Sequence, residues 1–462
     1  MSKELTFTYG DDTLKLNFEE SVLAGDMLRP KPSSEKLNDE ELMAMIDKSL
    51  QNPEEGERLC NMVKDKSVSL IISDEFRAGL QPLILESMLL EINSGSPSRI
   101  GVFVATGSHD PEYYCSNTRK FFKEICDRHD ITAEIFEHDC DNNEHVFLGK
   151  TSEGSEVEIQ KEYLEFEVRT YGHESKHHYM NGYSVVDKQV LPGVASRESI
   201  AQAHKGALQS DYSLAGRICW HSDPARHKNP FAQANADARI LSERFLIRDG
   251  ALLEEKLPTF ALDMISTKTS IDWISSGDPN KVCNRMTAAA DELAAFEVEK
   301  TDYVVISPGG PPACNALYGV QNCFDMALKG AIKEGGEALV LAPCLGREGL
   351  PADVNGLAPD GKSKILFWDN LCRFMKMPLQ EALDYIDENF ELYLWKTDRV
   401  LKLMRQANIK LYLYSSLPAE TLAKGGITAV SDPQAWIDER TARNNGKIRT
   451  IDDGNKMLVI GK

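Results

Sequence analysis

Three polar residues in the middle of the chain have side chains that could transfer protons or bind a metal. His178 lies ten residues before Lys188, and His204 follows sixteen residues after that lysine. Imidazole changes its charge near neutral pH and binds metals, and a buried amine can act as a nucleophile. A lysine here could equally bury its aliphatic stem and expose its charge at the surface. The spacing alone leaves the chemistry open.

Further polar residues follow two predicted strands. Asp74 and Arg77 come directly after the strand in KSVSLIIS, and His109 follows the strand in RIGVFVA. Strand, helix and strand in this order predict a parallel sheet, whose ligands bind at the carboxyl ends of the strands. Arg77 could bind a substrate carboxylate through two parallel hydrogen bonds. The alternative is an exposed ion pair between Asp74 and Arg77, which would contribute little.

The turn TGSH begins with Thr106 and Gly107 and precedes a predicted helix. Backbone N–H groups at the start of a helix bind anions such as phosphate. An ordinary turn capped by Thr or Ser has the same composition. The turn is therefore a candidate anion site, and it carries no complete glycine fingerprint of a nucleotide-binding loop.

A cluster of three histidines offers a second kind of chemistry. His173, His177 and His178 lie within six residues of one another. Together they could bind a divalent metal, or they could be separate polar residues of a loop. No HExxH motif accompanies them, so the sequence does not complete a known zinc pattern.

Composition narrows the classes of function. The chain has 462 residues, a formal net charge of −20 and 42% hydrophobic residues, with ten cysteines in no CxxC pair. An acidic surface repels phosphate backbones, so we expect no nucleic-acid partner. No stretch approaches about 18 consecutive apolar residues, and the first residues resemble no secretion signal. We expect no membrane span and a reducing, cytoplasmic location.

The order of the predicted elements indicates an α/β fold. Two α/β domains with mainly parallel sheets would enclose an active-site crevice between them. The predicted N-terminal domain, residues 1–280, carries the histidines and the lysine. A linker helix at 281–300 leads to a Rossmann-like domain at 301–425, and the tail at 426–462 returns as helix and strands.

Taken in order, six separated features resemble the nickel-dependent lactate racemase family. The match covers most of the chain at the level of motifs and is densest between residues 149 and 204. The features are DEFR at 74–77, TGSH at 106–109, His178, Lys188 between GYS and LPG, His204, and SPGGPP followed by LY within 307–318.

The resemblance implies a cofactor, the nickel-pincer nucleotide (pyridinium-3,5-bisthiocarboxylic acid mononucleotide nickel). In that family a lysine holds the cofactor through a thioamide and a histidine completes the nickel coordination. The matching positions here are Lys188 and His204. Asp74, Thr106 and Gly107 would help to hold the ribose-phosphate.

The resemblance also implies a reaction, the inversion of a 2-hydroxy acid by hydride transfer through a 2-oxo acid. The hydroxyl of each configuration faces a different side of one fixed hydride acceptor, so two proton acceptors are needed. His109 and His178 match these positions, and Arg77 matches the residue that holds the substrate carboxylate.

The chain departs from the family pattern in two places. Val185, Val186 and Asp187 stand where the family commonly has two glycines before the lysine. After Tyr318, lactate racemases have a glutamine and then a lysine that touches the substrate, whereas this chain has Gly319 and Asn322.

The second departure predicts a pocket with more room and one positive charge fewer. We expect Tyr318 and Asn322 to contact a 2-hydroxy acid larger than lactate, such as a sugar acid, which would make the enzyme an aldonate C2 epimerase. Trp395 is either a wall of this pocket or an aromatic residue of the core.

Other interpretations stay open on the sequence alone. They are a lactate racemase proper, a divalent-metal hydrolase built on the three histidines, and a non-catalytic binding homologue. The expected partners are a small 2-hydroxy acid and the enzymes that make the cofactor.

Overall fold

The computed structural model describes residues 1–31, 36–54, 56–75, 79–209 and 213–462. Within these ranges the chain forms an α/β fold with two separate, mainly parallel sheets. None of the helices in these ranges combines the length and the apolar composition needed to cross a lipid bilayer.

The strands are numbered in chain order. They are β1 (Ser2–Tyr9), β2 (Asp12–Glu19), β3 (Ser67–Ser73), β4 (Arg99–Ala105), β5 (Glu134–Glu137), β6 (His145–Lys150), β7 (Glu156–Gln160), β8 (Val168–Glu174), β9 (Lys176–His178), β10 (Gly182–Ser184), β11 (Phe245–Arg248), β12 (Ala251–Glu254), β13 (Thr259–Thr267), β14 (Ser270–Gly277), β15 (Ala295–Val298), β16 (Thr301–Ile306), β17 (Ile332–Leu341), β18 (Lys410–Tyr414), β19 (Thr428–Ala429), β20 (Ile448–Ile451) and β21 (Leu458–Gly461).

The α-helices are numbered in the same way. They are α1 (Asp39–Gln51), α2 (Leu59–Met62), α3 (Gln81–Ser94), α4 (Pro111–Tyr114), α5 (Ser116–His129), α6 (Asp187–Val190), α7 (Arg197–Lys205), α8 (Pro230–Ser242), α9 (Pro279–Ala294), α10 (Leu317–Val320), α11 (Lys329–Ala331), α12 (Gly361–Lys364), α13 (Asn370–Phe374), α14 (Leu379–Glu388), α15 (Leu394–Leu401), α16 (Ala419–Lys424) and α17 (Pro433–Arg443).

Short 3₁₀ and π turns complete the described elements. The 3₁₀ turns lie at Glu20–Val22, Glu162–Glu165, Gly206–Gln209 and Pro224–Arg226, and the π turns at Phe324–Leu328, Ile365–Asp369 and Lys402–Gln406.

The first sheet has six strands in the order β14-β13-β8-β3-β4-β5. All neighbours are parallel except β14, which pairs antiparallel with β13. The centres of β3 and β4 are mostly apolar and buried on both faces, as expected of parallel strands covered by helices. Helices α1 and α3 cover one face, and α9 packs on β13 and β14.

The second sheet has five parallel strands in the order β19-β18-β17-β16-β20. The first strands of the chain belong with this sheet rather than with the sheet that follows them in sequence. The β1–β2 hairpin buries Phe7 and Phe18 in one cluster with Tyr303 and Trp436. The carboxylate of Asp452 accepts a 2.8 Å hydrogen bond from the backbone N–H of Thr8.

Two regions of the chain between and after the sheets have their own elements. Helix α9 and strand β15 occupy most of the segment 281–300 that the sequence predicts as a linker helix. In the C-terminal tail, α17 precedes β20, which joins the second sheet beside β16, while β21 pairs with β15. The sequence-based domain boundaries stay predictions.

The fold gathers the polar residues at the carboxyl ends of parallel strands. Asp74 follows β3, the turn 106–109 follows β4, and the β9–β10 hairpin follows β8. Since these strands are parallel and adjacent, their carboxyl ends lie on one edge of the first sheet.

Candidate functional site

The hairpin β9–β10 and the single turn α6 bring His178 and Lys188 into contact. The Nζ atom of Lys188 lies 2.8 Å from Nε2 of His178, and both side chains are buried. Nδ1 of His178 accepts hydrogen bonds from the backbone N–H groups of Met180 and Asn181, at 3.1 and 3.0 Å. Because Nδ1 is occupied as an acceptor, Nε2 is the nitrogen through which this ring exchanges a proton.

A buried ion pair holds the turn that carries Lys188. The carboxylate of Asp187 accepts a hydrogen bond from Arg239 of helix α8, and both side chains are at most 2% exposed. Arg239 also donates to Glu243, at 2.7 Å. Asp187 is one of the residues that depart from the family's two glycines, so the departure has a structural partner in this chain.

His204 lies in helix α7, which begins after Ser196, and the hydroxyl of Ser196 accepts a hydrogen bond from the backbone N–H of Ser199. Its Nδ1 donates a 2.7 Å hydrogen bond to the carbonyl oxygen of Ile200. Burial lowers the pKa of His204 to about 4. The ring is therefore neutral at physiological pH, and Nε2 carries the lone pair.

His109 is paired with Asp74 across two strand ends. Nδ1 of His109 lies 2.5 Å from Oδ2 of Asp74, whose side chain is 2% exposed, while the histidine side chain is 33% exposed. A carboxylate on Nδ1 fixes the tautomer and leaves Nε2 as the basic nitrogen. Asp74, which the sequence assigns to the cofactor, orients His109 in this structure.

The turn 106–109 uses part of its hydrogen-bonding capacity within the protein. The hydroxyl of Thr106 donates to the carbonyl of His138 at 2.5 Å. Gly107 has a φ of +59°, and its N–H donates to the carbonyl of Gly193 at 3.0 Å. The sequence predicts a turn with N–H groups open to an anion, and the structure instead uses the N–H of Gly107 to join the turn to the loop after Lys188.

The three neighbouring histidines contact three different partners. Nδ1 of His173 lies 3.2 Å from Asp263, and Nε2 of His177 lies 2.9 Å from Asp291, whereas His178 faces Lys188. In the part of the chain that the structure describes, no group of three His, Cys, Asp or Glu residues is placed to hold a metal ion. The histidine cluster of the hydrolase hypothesis does not form.

The carboxylate of Asp291 joins the β9–β10 hairpin to the loop that contains His221 and Arg226. It accepts hydrogen bonds from His177, from His221 at 3.0 Å, from Tyr183 at 2.7 Å and from Arg226. Burial alone would raise the pKa of Asp291. These hydrogen bonds, with that from His177 first, instead hold this pKa far below its ordinary value. Asp291 thus positions the hairpin that carries His178.

A stack of aromatic rings connects His178 to the second sheet. The ring of Tyr179 lies 4.3 Å from that of His178 and 5.1 Å from that of Trp395. Trp395 is 4% exposed, so it belongs to the core and reaches the site through Tyr179. Tyr393 adds a second connection, with its hydroxyl 3.4 Å from that of Ser108.

Tyr318 and Asn322 lie on α10 and the turn after it, and both are half-buried. The ring of Tyr318 packs edge-on against Tyr393 at 6.0 Å. A Cβ atom at Gly319 would lie 3.0 Å from the carbonyl oxygen of Ala313. The missing side chain of Gly319 therefore faces the backbone of residue 313, and only Asn322 shortens a side chain within the wall.

Lys396, next to Trp395 in α15, is the residue of this wall that the sequence does not single out. Its Nζ lies 2.8 Å from Oδ1 of Asn322 and is buried. The sequence predicts a loss of positive charge beside residue 322, and the structure places a lysine from a different helix there. Arg77, the predicted carboxylate ligand, lies outside the described residues.

Comparison with known proteins connects this geometry to a family. Residues 9–216 match the family model of the lactate racemase N-terminal domain. The lactate racemase of Thermoanaerobacterium thermosaccharolyticum is 25% identical over 342 residues, which cover 73% of both chains. That of Lactiplantibacillus plantarum is 24% identical over 340 residues, which cover 72% of this chain and 73% of the relative. The chain is therefore similar to lactate racemases over most of its length, and its residues 9–216 match their N-terminal domain.

Solved structures support the same fold. The lactate racemase apoprotein from Thermoanaerobacterium thermosaccharolyticum matches 99% of both chains with a TM-score of 0.79 at 20% identity. A protein of Thermotoga maritima matches 92% of this chain and 99% of its own length with a TM-score of 0.60 at 13% identity. The two lactate racemases that the chain resembles in sequence are isomerases.

The lactate racemase family is nickel-dependent, and the residues present fit a metal-bearing group. A metal-binding histidine usually donates its other ring N–H to a carbonyl or carboxylate, which is how His204 uses Nδ1 on Ile200. The ring is also neutral, as a metal ligand must be. Lys188 supplies a buried amine close enough to His204 to lower the pKa of that histidine further.

Several residues of the site escape a reading of the sequence. Asp291 and Arg239 act through partners far away in the chain, and no local motif marks them, whereas Tyr179 directly follows His178. Lys396 has one usable signal, since it directly follows Trp395, a candidate for the pocket.

Proposed function

We propose that this protein is a nickel-pincer-nucleotide-dependent racemase or epimerase of a 2-hydroxy acid larger than lactate, such as a sugar acid. One observation carries the proposal. The amine of Lys188 and the proton-exchanging nitrogen of His178 lie 2.8 Å apart in a buried site. The residue expected to hold the cofactor and one of the two histidines expected to transfer the hydroxyl proton are thus in contact.

Lys188 and His204 would hold the cofactor. Lys188 would hold the group through a thioamide to one of its thiocarboxyl groups, and Nε2 of His204 would coordinate the nickel. When bound, the group supplies an acceptor and donor of hydride at one fixed place. Thr106 and Gly107 would lie beside its ribose-phosphate while keeping their hydrogen bonds to the carbonyl groups of His138 and Gly193.

His109 and His178 would move the hydroxyl proton, one for each configuration of the substrate. Asp74 keeps Nδ1 of His109 protonated, so Nε2 is ready to accept a proton. The two backbone N–H groups on Nδ1 of His178 have the opposite effect and direct its exchangeable proton to Nε2. Arg77 would bind the carboxylate of the substrate.

The aromatic stack and the buried ion pairs would keep water from the reacting carbon. Tyr179 covers His178 on one side, and Trp395 covers Tyr179 in turn. A site closed in this way protects the 2-oxo acid from side reactions. Asn322, shorter than the lysine of lactate racemases, supports a substrate that extends beyond three carbons.

A lactate racemase proper is the second candidate, favoured by the names of the two curated relatives. Turnover of lactate, gluconate and other aldonic acids by the loaded enzyme separates the two. Since Lys396 restores a cation near residue 322, the charge of the wall does not exclude lactate.

Production together with the cofactor-making enzymes, which we expect in the same cytoplasm, tests the proposal. The intact mass should exceed the sequence mass by one nucleotide-sized group, and Lys188→Ala should remove both this mass and all activity. Lys205→Ala, on an exposed residue, is the matched control and should keep both. A wild-type protein that epimerises the acid without any added mass would contradict the tether.

A further inference from the structure

The side chain of Lys396 is buried, at 1% exposure, and reaches three acceptors on one segment. Its Nζ donates to the carbonyl of Tyr318 at 2.8 Å, to Oε1 of Gln321 at 3.1 Å and to Oδ1 of Asn322 at 2.8 Å. An ammonium group has three N–H donors, whereas a neutral amine has two. Three acceptors around one nitrogen therefore favour the charged form.

This charge has no carboxylate partner within ion-pair distance among the residues that the structure describes. All three acceptors are neutral. The carboxylate of Asp325 acts on this charge only through space. It already contacts Lys329 at 2.5 Å and Arg399 at 3.4 Å. Burial lowers the pKa of Lys396 well below its ordinary value, and Asp325 opposes this only in part. A buried charge without a counter-ion is costly, so an anion that binds nearby gains an unusually strong attraction.

Three aromatic rings surround the ammonium and place it beside the proposed proton acceptor. Nζ lies 4.0 Å from the ring centre of Tyr318, 4.6 Å from that of Trp395 and 5.1 Å from that of Tyr179. Such faces stabilise a cation without neutralising it. Because Tyr179 stacks on His178, the charge of Lys396 is separated from that histidine by one ring.

We infer that Lys396 is a specificity-determining residue whose ammonium makes this site select a carboxylate-bearing substrate and fixes Asn322 to receive it. The lysine holds the amide oxygen of Asn322, so the NH₂ branch of this planar group faces away from Nζ and can donate to a ligand. The inference rests on the proposed function and deepens it. Lactate racemases have a lysine at the position of Asn322, and in this chain Lys396 of helix α15 supplies the positive charge there.

Binding to the apoprotein, without any cofactor, tests the inference. Calorimetry would use gluconate as the anionic probe and lactamide as the uncharged one. The wild type should bind gluconate in preference to lactamide. Lys396→Met should raise the Kd for gluconate by at least about tenfold, because the buried charge that attracts the carboxylate is lost and Asn322 is no longer held, with little change for lactamide. In the loaded enzyme the same change should appear in KM more than in kcat.

A second variant keeps the test decisive if Lys396→Met fails to fold. Asn322→Asp keeps the shape of the side chain and gives Lys396 an internal carboxylate in place of Oδ1. It should weaken gluconate binding as Lys396→Met does while the protein melts at or above the wild-type temperature. Asn322→Ala, which removes the amide without adding charge, should weaken binding less.

The matched control is Lys402→Met in the next turns of the same helical segment. Lys402 already pairs with Asp398 at 3.1 Å, so its loss should leave the Kd for gluconate within about twofold. Wild-type affinity in both Lys396→Met and Asn322→Asp, or a wild type that binds no carboxylate, would overturn the inference. If the protein carries no added mass on Lys188 but its affinity for gluconate still depends on Lys396, the proposed function is contradicted and this inference is not.

Discussion

The two sides of the site are built in different ways. On the side of the first sheet, His109, His178 and Lys188 each have a polar partner that fixes the state of a particular nitrogen. On the side of the second sheet, Trp395 and Tyr318 present rings and carbonyl groups around one lysine. The first side determines where protons are, and the second determines what fits and which charge it carries.

The difference teaches where the family pattern can vary. A change among the histidines would alter a tautomer or remove a proton acceptor, so the chemistry would fail. The wall of the second sheet tolerates a rearrangement, since an ammonium can reach residue 322 either from position 322 itself or from Lys396. We expect changes on the first side to lower kcat and changes on the second to raise KM.

The largest effect should follow the loss of a histidine that transfers the hydroxyl proton. In the loaded enzyme, His178→Gln should lower kcat by about 10²–10⁴-fold, the usual contribution of a general acid–base group, with little change in KM. Steady-state kinetics of epimerisation measure both constants. A rise in KM with unchanged kcat would show that His178 binds the substrate and does not transfer a proton, which would contradict the contrast between the two sides.

The ion pair beneath Lys188 should dominate stability on the same side. Asp187→Ala leaves Arg239 buried with one carboxylate fewer and should cost about 3–5 kcal/mol of unfolding free energy. Chemical denaturation measures this cost. Asp141→Ala, which breaks the exposed pair with Arg197, should cost no more than about 1 kcal/mol. Equal costs would show that the pair beneath Lys188 has no special role.

Acid sensitivity should also come from the first side. Burial lowers the pKa of His138 to about 4, and Nε2 of this ring lies 3.0 Å from the carbonyl of Ala195. The unfolded chain binds a proton here below about pH 6.5 and the folded chain only near pH 4. Stability from this residue is therefore present above pH 6.5 and is lost as the pH falls towards 4.

His138→Gln should remove that dependence. Between pH 6 and 4.5 the wild type should lose up to about 1.4 kcal/mol per pH unit more than the variant. Denaturation at several pH values gives the two slopes, and equal slopes would assign the acid sensitivity to other groups.

The smallest effect should come from the aromatic wall. Trp395→Phe makes the ring that stacks on Tyr179 smaller. It should weaken the interaction between the two rings by about 0.5–1.5 kcal/mol, the range for an aromatic pair. We expect KM to rise about threefold, in line with that energy, and kcat to stay nearly constant. A fall in kcat without a change in KM would place Trp395 on the chemical side.

The sequence predicts the first side better than the second, for a physical reason. His109, His178 and Lys188 follow strand ends or sit in short motifs, so local patterns reveal them. The contacts of Asp291 with His177 and His221, and of Lys396 with Asn322, join residues between 70 and 114 positions apart. Contacts of this kind depend on packing, which no local pattern encodes.

The α/β class and the two mainly parallel sheets follow from the alternation of apolar strands and helices. The position of the β1–β2 hairpin on the second sheet does not, because a hairpin has the same pattern on either sheet. The segment ALYGVQNCFDMALKGAIKEGG has the periodicity of one helix, whereas the structure divides it into α10, a π turn, α11 and the start of β17. Helical periodicity alone does not distinguish these segments.

The central claim is that His109 and His178 serve opposite configurations of one substrate. Single-turnover, rapid-quench measurement of 2-oxo acid formed from each pure epimer by the loaded enzyme tests it most directly. We predict that His109→Gln abolishes the 2-oxo acid from one epimer and His178→Gln abolishes it from the other. Equal slowing of both epimers by each variant would contradict the claim.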